Sequence, residues 1–187
     1  MRVERWTGAR VRDRADGLAA LLTDTVASGA SVGFLAPLGH AEAVAWWRER
    51  ADAVTAGHLA VWAAVDRAGT VTGTVGLAFP GRTNSRHRAE VVKLMVHRAA
   101  RGQGLGRRLL ATAERAAAAD GRTLLHLDTE TGSPAEHLYR SAGWTRAGTI
   151  PDYAANPLGE LRPTTLYYRD LSTRPAPVSR AGAGTDR

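Results

Sequence analysis

A chain of 187 residues with 44% apolar content can bury one full core, and none of its apolar runs approaches the roughly 18 residues that a membrane-spanning helix needs. The absence of cysteine excludes disulfides, thiolate metal sites and a thiol nucleophile. The formal charge of +7 is not gathered into a basic stripe interleaved with aromatics, and Arg174, Arg180 and Arg187 against Asp186 put +2 of it near the C-terminus, so no nucleic-acid partner is expected.

Residues 3–11 have the β-branched and aromatic character of an opening strand, and residues 13–27 carry Leu18, Leu21, Leu22 and Val26 at helical spacing. The small, glycine-rich residues 28–39 suit a connection that lies close against something else, either one wall of an acceptor pocket or a plain loop. Val44, Trp47, Ala51 and Val54 predict a helix over 40–56. Trp46 lies beside that stripe, where it either lines a cavity or packs. Residues 59–65 and 71–79 read as a hairpin around an Asp- and Gly-containing turn, followed by a polar loop over 81–87 and a strand over 89–96. A helix over 103–119, about 25 Å long at about 1.5 Å per residue, ends at Asp120-Gly121. A short strand over 123–128, a helix capped by Ser133 and stopped by Gly143, a strand from Trp144 and a last strand over 164–171 complete the pattern. The domain therefore spans 1–171, and residues 172–187, with almost no large apolar side chain, read as a disordered tail. This order fits an α/β fold with a mixed sheet and one crossover between the parallel strands ending at Val96 and Asp128. The charged start Met1-Arg2-Val3-Glu4-Arg5 is unlike a secretory signal, and a cytoplasmic location is expected.

The segment Arg101-Gly102-Gln103-Gly104-Leu105-Gly106 joins an apolar strand to an alanine-rich helix. Glycines there let an anion reach backbone N–H groups, and the helix adds the positive end of its dipole. Arg98, Arg101, Arg107 and Arg108 are expected to crowd the same spot. A nucleoside triphosphatase loop would need Lys followed by Ser or Thr after its second glycine, and Gly106 precedes Arg107-Arg108. A dinucleotide fingerprint would place its third glycine three residues after the second, whereas these glycines alternate. The remaining pattern, Arg-x-x-Gly-x-Gly, resembles the coenzyme A pyrophosphate loop of the GNAT acetyltransferases. That resemblance implies acetyl-CoA as co-substrate, contacts from Met95, Val96, Arg101, Gly102, Gln103, Gly104, Leu105, Gly106 and Arg107, and a mostly antiparallel sheet whose central parallel pair splays to admit the coenzyme, with helices on both faces.

Ala135-Glu136-His137-Leu138-Tyr139, followed by Gly143-Trp144, resembles a second GNAT signature, a helix that presents a tyrosine beside the coenzyme sulfur. Gly132 stands where the family often has Asn. From about residue 15 to 171 the chain is similar to the tabtoxin resistance subgroup, which acetylates a β-lactam toxin. Shared stretches include Arg88-Ala89-Glu90-Val91, Lys93-Leu94-Met95-Val96 and Leu124 through Glu130. The likeness points to Glu90 and Asp128 as the catalytic carboxylates. Either is the base, or both hold the cationic amine in place; a carboxylate beside an ammonium raises its pKa and opposes deprotonation. Tyr139 is the candidate general acid toward the departing thiolate. The backbone near Met95 and Val96 supplies an oxyanion donor if that strand carries the family's bulge. His126 shares a strand face with Asp128 and is either a relay or a packed residue. No third ligand stands near that pair, so no metal is expected.

The resemblance implies an N-acetyltransferase acting on the amine of a small molecule, amino-acid-like or antibiotic-like, such as a β-lactam dipeptide toxin, with a role in resistance or detoxification, and the lack of an evident covalent nucleophile predicts transfer within a ternary complex. Two other readings stay open: acetylation of a protein N-terminus or lysine, and a non-catalytic coenzyme A sensor. A homodimer is compatible with the resemblance, although no unpaired apolar stripe demands one.

Overall fold

The computed structural model describes residues 1–172 and lays them around a single seven-stranded sheet. The strands are β1 (Arg2–Trp6), β2 (Leu59–Val65), β3 (Val71–Ala78), β4 (Arg88–Val96), β5 (Leu124–Glu130), β6 (Thr145–Ala155) and β7 (Leu161–Asp170). Their spatial order is β1-β2-β3-β4-β5-β7-β6, and every neighbouring pair is antiparallel except β4 and β5. Helices α1 (Gly8–Asp13), α2 (Ala15–Ala27) and α3 (His40–Thr55) pack on one face, α4 (Leu105–Ala119) and α5 (Pro134–Ser141) on the other. The expected mixed, mostly antiparallel α/β architecture is the one observed.

Each face buries its own core. Leu18, Leu22, Trp47 and Val61 belong to the α1–α3 side, and Leu109, Leu110, Leu125 and Tyr167 to the α4–α5 side. β2 sends Ala60, Trp62 and Ala64 to the second cluster and Val61 and Ala63 to the first, so a strand covered on both faces reads as a continuous apolar run. No helix among the described residues is long and apolar enough to cross a membrane.

Several boundaries differ from the sequence expectation. The opening strand stops at Trp6, and residues 8–13 are helical, because the Thr7 hydroxyl accepts the Arg10 N–H at 3.2 Å and caps a new helix. β5 runs on to Glu130 and β7 starts at Leu161, since cross-strand pairing extends both past the apolar stretch. α4 begins at Leu105 rather than at 103, after Gly102 and Gly104 have taken positive φ of 75° and 73°. Of the expected tail, all but Ser172 lies outside the described residues.

Two irregularities position the site. β4 and β5 pair from Arg88 opposite Leu124 to Glu90 opposite His126. Beyond that point β4 stays with β3 and β5 with β7, so the parallel pair parts into a cleft at the strands' C-terminal ends. In the same stretch β4 bulges: Val92 faces Gly76 and Met95 faces Thr74, leaving Lys93 and Leu94 without a counterpart in the β3 register. Lys93 has φ of 49°, and its carbonyl accepts the Thr74 hydroxyl at 2.9 Å. The extra residue inverts the alternation. Ala89 and Val91 face the α4 side before the bulge; after it Leu94 and Val96 do so, and Met95 turns to the α1–α3 side.

Candidate active site

The turn between β4 and α4 lies at the mouth of the cleft. Gly104 is the N-cap of α4 in the left-handed conformation and offers no side chain to the first helical N–H groups. The first intrahelical bond there runs from the Arg108 N–H to the Gly104 carbonyl at 3.1 Å, which leaves the N–H groups of Leu105, Gly106 and Arg107 as helix-end donors. A Cβ on Gly102 or Gly104 would meet nothing within 4 Å; glycine is needed at these positions for the backbone turn itself and leaves the approach open. Gly106 serves packing instead, since a Cβ there would come within 3.3 Å of Leu138 and 3.7 Å of Val96. Leu105 sends its side chain into the core and leaves only its backbone at the turn. These features fit a pyrophosphate held by main-chain donors.

The arginines are arranged differently from the expected cluster. Arg98 pairs with Asp24 of α2 through its guanidinium and through its backbone N–H at 3.0 Å. Arg108 donates to the Met1 carbonyl at 2.9 Å. Arg101 folds back onto the Val96 carbonyl at 3.0 Å and the Ser28 hydroxyl at 2.8 Å, while Arg107 holds the Ser141 carbonyl and hydroxyl at 3.2 and 2.7 Å. Each guanidinium finds a fixed acceptor on a neighbouring element, so the four brace the turn against α2, α5 and β1. The Gln103 side chain donates to the Ala99 carbonyl at 3.4 Å.

Met95 and Val96 lie past the bulge and are back in the β3 ladder. The His97 N–H bonds the Thr72 carbonyl at 2.9 Å, and antiparallel alternation then turns the Val96 N–H and carbonyl away from β3, toward the cleft. The Arg101 bond to the Val96 carbonyl agrees with that direction.

Glu90 sits on β4 where pairing with β5 ends, and Asp128 lies two residues past His126 on the diverging strand. Both act electrostatically on one side chain, Lys93. Asp128 also acts on Tyr139, whose hydroxyl is pushed well above its ordinary pKa by burial and then by that charge. Tyr139 therefore keeps its proton across the physiological range. Its ring packs near Trp144 and Tyr167, with centroids at 5.9 and 6.3 Å. α5 is fixed at its start: the Ser133 hydroxyl accepts the Glu136 N–H at 3.3 Å, and the Glu136 carboxylate accepts the Gly132 N–H at 2.6 Å and the Tyr167 hydroxyl at 2.9 Å. These bonds hold the Glu136 carboxyl below its usual range.

His126 is not free to relay. Arg88 donates to its Nε2 at 2.8 Å; arginine only donates, so Nε2 is the acceptor of a neutral ring. Burial lowers the pKa of His126 and agrees with that state.

On the α3 side of the bulge lies a cavity of about 240 Å³, with Trp46, Trp47, Arg50, His58 and Lys93 in its lining. Trp46 stands edge-on to Phe34 and Trp47, at centroid distances of 5.5 and 4.9 Å. Residues 28–39 add nothing to the lining of this cavity; Phe34 packs against Trp46, and the Ala36 N–H bonds the Pro157 carbonyl in the β6–β7 turn at 2.8 Å. Lys93 and Arg50 were not picked out from sequence. A lysine interrupting Val91-Val92-Lys93-Leu94-Met95-Val96 was a legible signal, whereas Arg50 on an arginine-rich helix gave none.

The profile of the acetyltransferase (GNAT) family matches residues 28–144, which span α3 through the end of α5 and include the turn, the bulge, both carboxylates and Tyr139. The chain belongs to the GNAT acetyltransferase family. Enzymes of this family take the acetyl group from acetyl-CoA. Among solved structures, an N-acetyltransferase from Staphylococcus aureus Mu50 is 18% identical, with 92% of this chain and 100% of that one covered and a TM-score of 0.74. A ribosomal-protein-alanine N-acetyltransferase from Brucella melitensis is 23% identical over 91% and 100% of the two chains, at a TM-score of 0.70. A phosphinothricin acetyltransferase from Sinorhizobium meliloti, solved with acetyl-CoA, is 21% identical over 90% and 87%, at 0.73. At such identities the likeness shows the GNAT fold alone. The chain shares that fold equally with an enzyme named for a protein and one named for a small molecule.

Proposed function

We propose that this GNAT acetyltransferase acetylates the amine of a small molecule of amino-acid or antibiotic type, a β-lactam dipeptide toxin being one candidate. The observation that carries this reading is the aromatic-walled cavity beside Glu90 and Asp128. Its volume of about 240 Å³ favours a compact acceptor over an extended polypeptide.

Acetyl-CoA, when bound, supplies the activated thioester. Toward it the chain contributes the N–H groups of the Gly102–Gly106 turn for the pyrophosphate and the cleft-facing Val96 N–H for the oxygen that gains charge. Arg101 and Arg107 act there by holding the turn to α2 and α5. Glu90 and Asp128 receive the acceptor's ammonium: one of them takes its proton, directly or through water, and the other fixes the nitrogen's position. Tyr139 donates to the departing sulfur, and its raised pKa keeps that proton in place until it is needed. Transfer is direct, within a ternary complex.

The test is acetyl-CoA-dependent thiol release against amino acids, β-lactam dipeptides, aminoglycosides and peptides, with a no-acceptor control. Turnover confined to small amines is the expected result. Turnover confined to peptides overturns the reading in favour of a protein acetyltransferase, and silence across the panel with intact acetyl-CoA binding favours a coenzyme A sensor.

A further inference from the structure

The cavity between α3 and the β4 bulge is lined by no carboxylate, and its polar side chains are those of Trp46, Trp47, Arg50, His58 and Lys93, all of which but the histidine only donate. Arg50 Nε and Trp47 Nε1 are both buried without a hydrogen-bond partner, and such groups are uncommon in folded proteins unless something else meets them. Two cations also share one indole: Arg50 stands 5.1 Å and Lys93 5.4 Å from the Trp46 ring centroid. The acidic groups near them lie outside the cavity. Glu49 touches Arg50 at 3.4 Å on the solvent side, and Glu90 and Asp128 act on Lys93 from the cleft. Burial, with Arg50's repulsion added, weakens the charge on Lys93 against the pull of those two carboxylates. Like charges held together in a half-buried pocket repel each other, and an anion between them removes that cost.

We propose that Arg50, Trp46 and Lys93 form a subsite for a carboxylate or similar small oxyanion on the acceptor. This deepens the small-amine reading and rests on it. The acceptor is amphoteric: its ammonium lies at Glu90 and Asp128, its anionic group in the cavity, and Lys93 bridges the two poles. The arrangement selects against aminoglycosides and other polycations, because their additional ammonium groups meet Arg50 and Lys93. Lys93 reaches this position only through the bulge, which breaks the alternation of β4 at that residue.

The test needs no turnover. N-acetylglycine, N-acetyl-L-alanine and N-acetyl-L-methionine, each beside its primary amide, are titrated calorimetrically into protein saturated with coenzyme A. At least one acid is expected to bind tenfold or more tightly than its amide, a difference of about 1.4 kcal/mol. Arg50→Gln and Lys93→Met each erase that preference without changing the coenzyme's dissociation constant, and Arg50→Lys restores part of it by returning the charge without the planar fork. Melting curves check that the variants fold. Equal binding of every acid and its amide, or a preference that survives both charge removals, overturns the subsite. A silent amine panel with acid-selective binding intact would count against the proposed acetyl transfer alone.

Discussion

The turn over Gly102–Gly106 and the cavity beside Trp46 both adjoin β4, yet the chain builds them by opposite means. The turn comes from one uninterrupted stretch, in which the end of β4, two left-handed glycines and the first residues of α4 follow one another. The cavity draws Trp46 and Arg50 from α3, His58 from the approach to β2, Gly76 from β3 and Lys93 from a bulge. A main-chain cradle for a pyrophosphate needs only backbone in the right conformation, so short-range sequence suffices. A pocket that selects among acceptors needs side chains facing one another, and those are brought together by the fold.

Variants that act on one half and spare the other sharpen this contrast. The largest effect is expected at the carboxylates: whichever of Glu90→Gln and Asp128→Asn removes the base lowers kcat by about 10²–10⁴, while the other mainly raises KM for the acceptor. Steady-state kinetics with saturating acetyl-CoA separate the two, and equal losses in both parameters from both variants would show that they act as one unit. Tyr139→Phe should lower kcat about a hundredfold with the acetyl-CoA dissociation constant intact. The phenol's raised pKa keeps the hydroxyl protonated, so the wild-type rate shows no falling limb from this group as pH rises through 9; unchanged turnover in the variant would leave Tyr139 a packing residue only.

Gly104→Val tests the other half. A β-branched residue at φ of 73° costs roughly 1–3 kcal/mol of backbone strain, and acetyl-CoA affinity should fall by about 10- to 100-fold in a calorimetric titration. The acid-over-amide preference in the cavity should persist, and its loss would mean that the two halves are mechanically coupled. The smallest effect is expected from Asp24→Asn, which breaks the brace from α2 to the start of the turn. Burial works against the Asp24 charge, but the hydrogen bonds from Arg98 outweigh it and hold the carboxyl below its usual value. The brace therefore stabilises fully above the unfolded carboxylate pKa of about 3.9 and is lost as pH falls through the lower folded value. Asp24→Asn should cost about 1 kcal/mol at pH 7 and progressively less as pH falls below the unfolded carboxylate value, read from denaturant melts at each pH.

The sequence by itself determined most elements and the glycine turn before α4, while Glu90, Asp128 and Tyr139 came forward through the family resemblance of the stretches that carry them. Where two short elements met without a proline or glycine between them, as at Trp6-Thr7, composition merged them, since the stop depends on a single hydroxyl capping the next helix. What only the tertiary structure decided is the side-chain geometry across elements. It sent Arg98, Arg101, Arg107 and Arg108 to separate acceptors, gave the His126 lone pair to Arg88, and brought Lys93 and Arg50 to the same indole. The physical reason is range: turns and helix starts follow from torsion preferences of a few adjacent residues, whereas a bulge and a charge pair spanning 43 residues of sequence exist only once strand register and helix packing have fixed which side chains meet.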